Sequence, residues 1–201
     1  MGMDGRNAWL DRSAGSMSAE GGVCAPHDDI ALRAATDADM DFLRDVFSST
    51  RMQEFISAGM PVEQVDALLV SQFSIQHAYY RLHYPRGRFD IVMQGTSNIG
   101  RLYHDWHGDT VQLIDIALLP AYRGAGIGTR LMCAIVAEAA RKHMPMHLYV
   151  EFNNPVRKLY GALGFVPAGE NGVYELMRRD IAPFDDEEAW APVKGLSNPF
   201  Q

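Results

Sequence analysis

The chain has 201 residues, 47% of them hydrophobic, and a formal net charge of −7. That length and apolar content bury one sizeable core, so one main domain is expected. The 18 basic residues are scattered, with isolated pairs such as Arg141-Lys142, Arg157-Lys158 and Arg178-Arg179; a nucleic-acid footprint gathers them on one face, and that partner is excluded. The two cysteines, Cys24 and Cys133, make no disulfide framework. With no C-x-x-C or H-E-x-x-H spacing, no metal is expected. The N-terminus lacks the apolar core of a signal peptide, and no run approaches the ~20 apolar residues of a membrane helix. A cytoplasmic protein, without membrane contact, is the expectation.

Residues 1–28, rich in Gly, Ser, Ala and Asp, read as a flexible N-terminal extension. Ile30–Ala34 reads as a short strand. Thr36 caps a helix start, and Asp39 suits its positive end. Phe42, Leu43, Val46 and Phe47 form the apolar face of this first helix, with 48–60 as a polar connection. Pro61 opens a second helix, whose stripe Val62, Val65, Leu69, Phe73, His77 and Tyr80 runs at spacings of three or four and stops before Pro85. His77 reads as a core histidine with its polar atoms satisfied. Tyr79, Tyr80, His83 and Tyr84 cluster at the helix end. Residues 89–94 and 99–106 read as strands about a turn at 95–98, and His107-Gly108-Asp109 turns the chain into the next strand, giving an antiparallel meander. His104 and His107 read as surface hairpin histidines, because no carboxylate or thiol stands beside them at ligand spacing.

The stretch at 113–136 organises the rest. An apolar run, 113–119, is interrupted by Asp115 and stopped by Pro120; Arg123-Gly124-Ala125-Gly126-Ile127-Gly128 follows, and from Thr129 the chain reads as a helix. A strand that turns through glycines into a helix presents unpaired amides and the positive end of the helix dipole, which suits an anion of phosphate size. Period-2 alternation places Leu113, Asp115, Ala117 and Leu119 on one face. Ile127, Leu131, Ile135 and Ala139 make the buried stripe of the helix, and Cys133 within it reads as a small hydrophobe. Residues 147–151 form a strand parallel to the central one, reached by a crossover helix. In Asn153-Asn154-Pro155-Val156-Arg157-Lys158-Leu159-Tyr160-Gly161-Ala162-Leu163-Gly164-Phe165, an Asn caps a helix, Pro155 suits its first turn and Gly164 ends it.

The turn matches R-x-x-G-x-G through Arg123, Gly126 and Gly128, and so resembles the acyl-CoA-binding motif of the GNAT N-acetyltransferase superfamily. The later segment is similar to that family's N-x-x-A-x-x-L-Y-x-x-x-G-F through Asn153, Leu159, Tyr160, Gly164 and Phe165, with Val156 where the family usually has Ala. The resemblance spans roughly residues 29–180, the expected acyltransferase domain, with 181–201 an acidic tail. It implies an α/β (α+β) GNAT fold: a mixed, mostly antiparallel central sheet, splayed between the fourth and fifth strands and flanked by helices.

The resemblance also implies transfer of an acetyl group from acetyl-CoA, as co-substrate, to a primary amine by direct attack in a ternary complex. Arg123, Gly124, Ala125, Gly126, Ile127, Gly128, Thr129 and Asn153 would bind the cofactor, with backbone groups near Ala117 and Leu118 holding the pantetheine arm and the oxyanion. Tyr160 is the candidate acid for the departing thiolate, since a phenol of pKa ~10 lies within reach of a thiol of ~8.5. Asp115 is the candidate base, and equally reads as a structural carboxylate paired with Arg101; Glu54 and Glu151 are weaker alternatives. Arg51, Gln53, Glu54, Tyr79 and Tyr80 are the candidate acceptor residues, for a small-molecule or peptide amine. A monomer or homodimer is expected. The competing reading is a non-catalytic acyl-CoA-binding or scaffold module on the same fold.

Overall fold

The computed structural model describes residues 30–181; the N-terminal extension and all but the first residue of the acidic tail lie outside the described residues. The elements run β1 (Ile30–Ala34), α1 (Met40–Ser57), α2 (Val62–His83), β2 (Arg88–Gln94), β3 (Ser97–Asp105), β4 (Val111–Leu118), α3 (Ile127–Arg141), β5 (Met146–Glu151), α4 (Arg157–Ala162), β6 (Val166–Asn171) and β7 (Tyr174–Arg179). The strands form one open sheet in the order β1-β2-β3-β4-β5-β7-β6. Every neighbouring pair is antiparallel except β4 with β5. That pair is parallel because α3 returns the chain to the same end of the sheet, as a crossover must.

Two cores sit on opposite faces of the sheet. On one, Leu43 and Phe47 of α1 and Val65, Leu69 and Phe73 of α2 pack on Phe89, Ile91 and Tyr103. On the other, Ile127, Leu131, Met132, Ile135 and Ala139 of α3, with Tyr160 of α4, pack on Val92, Leu102, Leu113, Leu118 and Leu148. The α3 stripe is the one its i, i+4 spacing predicts, and each fully buried aliphatic side chain contributes about 1.5–3 kcal/mol relative to exposure. Asp39 fixes the entry to α1. Its carboxylate takes two hydrogen bonds from Arg33 (2.6 and 2.8 Å) and one from the Thr36 amide (2.8 Å).

Strand β4 departs from regularity twice. Tyr103 pairs with Asp115 but His104 pairs with Leu113, so Ile114 is an extra residue, a β-bulge. Leu113 therefore packs against α3. Ile114 joins the α1/α2 core, and Asp115, opposite Tyr103, faces that same side. Straight alternation placed Leu113 and Asp115 on one face; the bulge separates them. In addition, β4 pairs with β5 only at Val111, Gln112 and Leu113. Beyond Leu113 the two strands part, and the sheet is splayed between its fourth and fifth strands.

Other departures from the sequence reading have local causes. Helix α1 continues to Ser57, because Met52 and Phe55 carry its apolar face onto the α1/α2 core, so the connection to α2 is only 58–61. Ser97 and Asn98 belong to β3, leaving a two-residue turn at Gly95 and Thr96. The β6–β7 hairpin carried no apolar alternation to read, since all six residues of β6 are exposed. This edge strand is interrupted by Pro167 and a register shift before Gly169, which discourages pairing with another chain. Helix α4 is short, and in the turn just before it the side chain of Asn154 accepts from the Val156 amide at 3.0 Å.

His104 is not a surface histidine. It is wholly buried beneath the C-terminal end of α3, where its Nδ1 accepts from Trp106 Nε1 at 2.7 Å and its Nε2 lies 3.4 Å from the buried Asp90 carboxylate. A cavity of about 220 Å³ beside it is lined by Arg88, Trp106, Glu138 and Lys142. His107 is the exposed hairpin histidine, paired with Asp105 at 2.6 Å. His77 is half-buried, but its Nδ1 has no partner, so its polar atoms are not all satisfied.

Candidate active site

The turn after β4 carries the features its sequence predicts. Pro120–Tyr122 form a single 3₁₀ turn. Gly124 and Gly126 both take φ +77°, a left-handed conformation that glycine alone adopts without strain. A Cβ at Gly126 or Gly128 would meet no protein atom within 4 Å, so the space over this backbone is open. The first helical bond runs from the Arg130 amide to the Gly126 carbonyl at 3.0 Å. Among the described residues, the amides of Gly124, Ala125, Gly126, Ile127, Gly128 and Thr129 bond to no carbonyl. This cluster of donors at the positive end of a 15-residue helix fits a diphosphate.

Arg123 serves the scaffold. Its Nε donates to the Leu118 carbonyl at 2.8 Å, and its Nη2 donates to the Ser49 hydroxyl at 2.8 Å and the Ser49 carbonyl at 3.2 Å. The guanidinium thus latches the turn to α1. Neither composition nor spacing marks Ser49, because its role exists only where α1 crosses the end of β4.

The gap beside β4 exposes a defined set of backbone groups. The Leu119 amide bonds back to Ile99 on β3 at 2.9 Å, so by antiparallel alternation the amides of Leu118 and Ile116 point away from β3, into the gap. Ala117, between them, faces β3 opposite Arg101. Of the two residues expected to hold an acyl donor, Leu118 has its amide in the gap and Ala117 does not.

Side chains meet across this gap from both faces of the sheet. Tyr160, 5% exposed, stands on the α3 face against Phe165, with ring centroids 6.0 Å apart. Burial pushes its hydroxyl well above the ordinary tyrosine range, and the charge of Asp115 adds to the shift. Asp115 stands on the α1/α2 face, its Oδ2 accepting from Arg101 Nη2 at 2.5 Å. Arg101 is 3% exposed, shares the same nitrogen with Gln76 Oε1 at 3.2 Å, and lies over the rings of Phe47 and Tyr103. Tyr80 packs edge-on against Tyr103, and burial, followed by the Asp115 charge, raises its hydroxyl too. Arg51 of α1 reaches across to Glu151 of β5 at 3.2 Å.

The remaining candidates lie further out. Tyr79 is half-exposed and stacked on His83 at 3.8 Å, on the outer side of α2. Gln53 and Glu54 are exposed on α1, and Asn153 is exposed just beyond β5. The sequence reading did not single out Gln76, Tyr103 or Tyr174, which share this region. Nothing in their spacing marks them, since helix packing and strand register bring them in.

The family model of the acetyltransferase (GNAT) family matches residues 63–165, just over half of the chain. The chain belongs to the GNAT family. No curated protein matches it significantly. Among solved structures it is similar to the PaiA N-acetyltransferase of Thermoplasma acidophilum in complex with coenzyme A, at 18% identity and TM-score 0.58, covering 75% of this chain and 98% of that one. An acetyltransferase of Thermus thermophilus gives 19% identity and TM-score 0.53, with 75% and 96% covered. RimL, a ribosomal α-N-protein acetyltransferase in complex with coenzyme A, gives 14% and 0.52, with 78% and 97% covered. At such identities the likeness is one of fold. Among the described residues no helix is long and apolar enough to cross a membrane.

Proposed function

We propose that residues 29–180 form an acyltransferase domain that moves an acetyl group from acetyl-CoA to a primary amine within a ternary complex. The observation that carries this reading is the run of free amides at 124–129 opening beside the unpaired half of β4. The diphosphate is held at those amides, and the acyl-bearing arm lies along the gap, where Ile116 and Leu118 offer the hydrogen bonds that β5 does not take. The Leu118 amide polarises the thioester carbonyl and stabilises negative charge on its oxygen.

The amine is held at Asp115, whose Oδ2 is fixed by Arg101 and whose second oxygen is left for the acceptor. The amine attacks once it has lost its ammonium proton to Asp115 or to water. A C–N bond forms, the C–S bond breaks, and the nitrogen's further proton passes to solvent. Tyr160 donates the proton that the departing sulfur needs and is reprotonated from solvent. The raised pKa of Tyr160 keeps that proton in place at neutral pH until the thiolate forms.

Two measurements on the full chain test the reading. Coenzyme A raises the melting temperature, and acetyl-CoA releases free thiol only when an amine is added. Heat stabilisation without thiol release from any amine, peptides included, would replace the enzyme by an acyl-CoA-binding module.

A further inference from the structure

The face of the sheet that carries α1 and α2 is only partly covered. Leu148, Val150 and Met177 turn into the α3 core. Alternation therefore turns Tyr149 and Glu151 of β5, with their β7 partners Leu176 and Tyr174, to the opposite side. There α1 and α2 cover β2 and β3 but leave Tyr149 47% and Tyr174 37% exposed. Arg51 confirms which side this is, for it reaches from α1 to Glu151 at 3.2 Å. Tyr80, near the end of α2, stands on this same face against Tyr103. Tyr149, Tyr174, Tyr80 and Asp115 thus share one face of the sheet beside the gap.

The charge on this face is nearly balanced. Asp115 is paired with Arg101 and Glu151 with Arg51, and Glu54 acts on Arg51 from further along α1. Both carboxylates nearest the gap are thus already paired. A polyamine or an aminoglycoside is drawn to unpaired carboxylates, and Asp115 and Glu151 are both paired. What this face offers in quantity is aromatic surface.

Resting on the acyltransferase reading above, we infer that the acceptor is a singly charged primary amine attached to an aromatic ring, with the ring against Tyr149 and Tyr174 and the ammonium directed to Asp115. Ring-on-ring contact rewards a flat aromatic body over an alkyl chain of similar length, and carboxylates already paired leave little to hold a second ammonium.

The experiment follows free-thiol release from acetyl-CoA by the full chain with phenethylamine, tyramine, n-butylamine and spermidine. The two aromatic amines are expected to exceed the other two by about tenfold in kcat/KM, the upper end of what one aromatic contact supplies. Tyr149→Ala should bring the phenethylamine-to-butylamine ratio close to one, while Tyr149→Phe, which keeps the ring, preserves it. Spermidine or butylamine matching the aromatic amines overturns the inference. So does a ratio that survives both Tyr149→Ala and Tyr174→Ala. Turnover with the wrong ranking defeats this inference alone; absence of thiol release from every amine, with coenzyme A still raising the melting temperature, defeats the acyltransferase reading along with it.

Discussion

Replacing Gly126 separates the cost of a strained backbone from the loss of an anion site. At φ +77° an alanine costs about 1–2 kcal/mol, because its Cβ crowds its own backbone. No protein atom within 4 Å adds to that cost. For a chain of this length 1 kcal/mol moves the melting temperature by roughly 2–4 °C, so Gly126→Ala should melt about 2–8 °C lower. Gly108, in the β3–β4 hairpin, is the matched control. It has φ +83°, again with no atom within 4 Å of a Cβ, but it sits at the opposite end of β4 from the turn. Gly108→Ala should lose a similar amount of stability. Coenzyme A at a hundred times its dissociation constant stabilises a folded protein by about 2.7 kcal/mol, a shift of roughly 5–10 °C. The assay is thermal unfolding of both variants with and without coenzyme A. Gly108→Ala should keep the full ligand shift, whereas Gly126→Ala should lose most of it, because the methyl group occupies the space over the free amides. If Gly126→Ala keeps the shift, the diphosphate does not lie on this turn.

Tyr160→Phe should leave the coenzyme A shift intact and lower kcat about a hundredfold, the modest end of general-acid contributions of about 10²–10⁴; unchanged kcat removes Tyr160 from the chemistry. Since burial raises the Tyr160 pKa, its proton is retained well into the alkaline range, and kcat should show no loss attributable to this group up to about pH 10. Asp115→Asn strands the buried Arg101 cation, a loss of about 3–5 kcal/mol for a broken buried pair, and should lower the melting temperature by roughly 6–20 °C; a drop under 2 °C would show that the pair adds little. The Arg33 guanidinium, joined by Thr36, holds Asp39 well below the usual carboxylate range. Its contribution is therefore present above the unfolded-state pKa near 4 and is lost as pH falls further. Melting temperature should fall less steeply between pH 5 and pH 2 in Asp39→Asn than in the unaltered chain, and equal slopes would refute the assignment.

The parts of the site that depend on local chemistry could be read directly from the chain. Gly124 and Gly126 adopt the left-handed angles their residue type permits, the stripe from Ile127 to Ala139 is buried as its spacing requires, and Gly164 ends α4 at φ +85°. Each needs only its near neighbours in sequence. The same holds for the parallel placement of β5, which a crossover helix imposes on any chain that has one.

Arrangements that join distant segments could not be read this way. One extra residue at Ile114 moves Leu113 to the face opposite Asp115, and a bulge depends on the partner strand rather than on the residue inserted. The sequence leaves Asp115 open between a base and a carboxylate paired with Arg101; strand pairing brings Arg101 to it, and helix packing brings Gln76. His104, a hairpin residue by sequence, is buried because α3 folds over it. Tyr174, on a strand with no periodic signal in its hairpin partner, comes to face Arg51 only once β7 has paired with β5. Backbone geometry is a local property with steep energies, so residue type alone specifies the turn. Which side chains share a face of the site is set by strand register and helix placement, and those are fixed only when the two cores close.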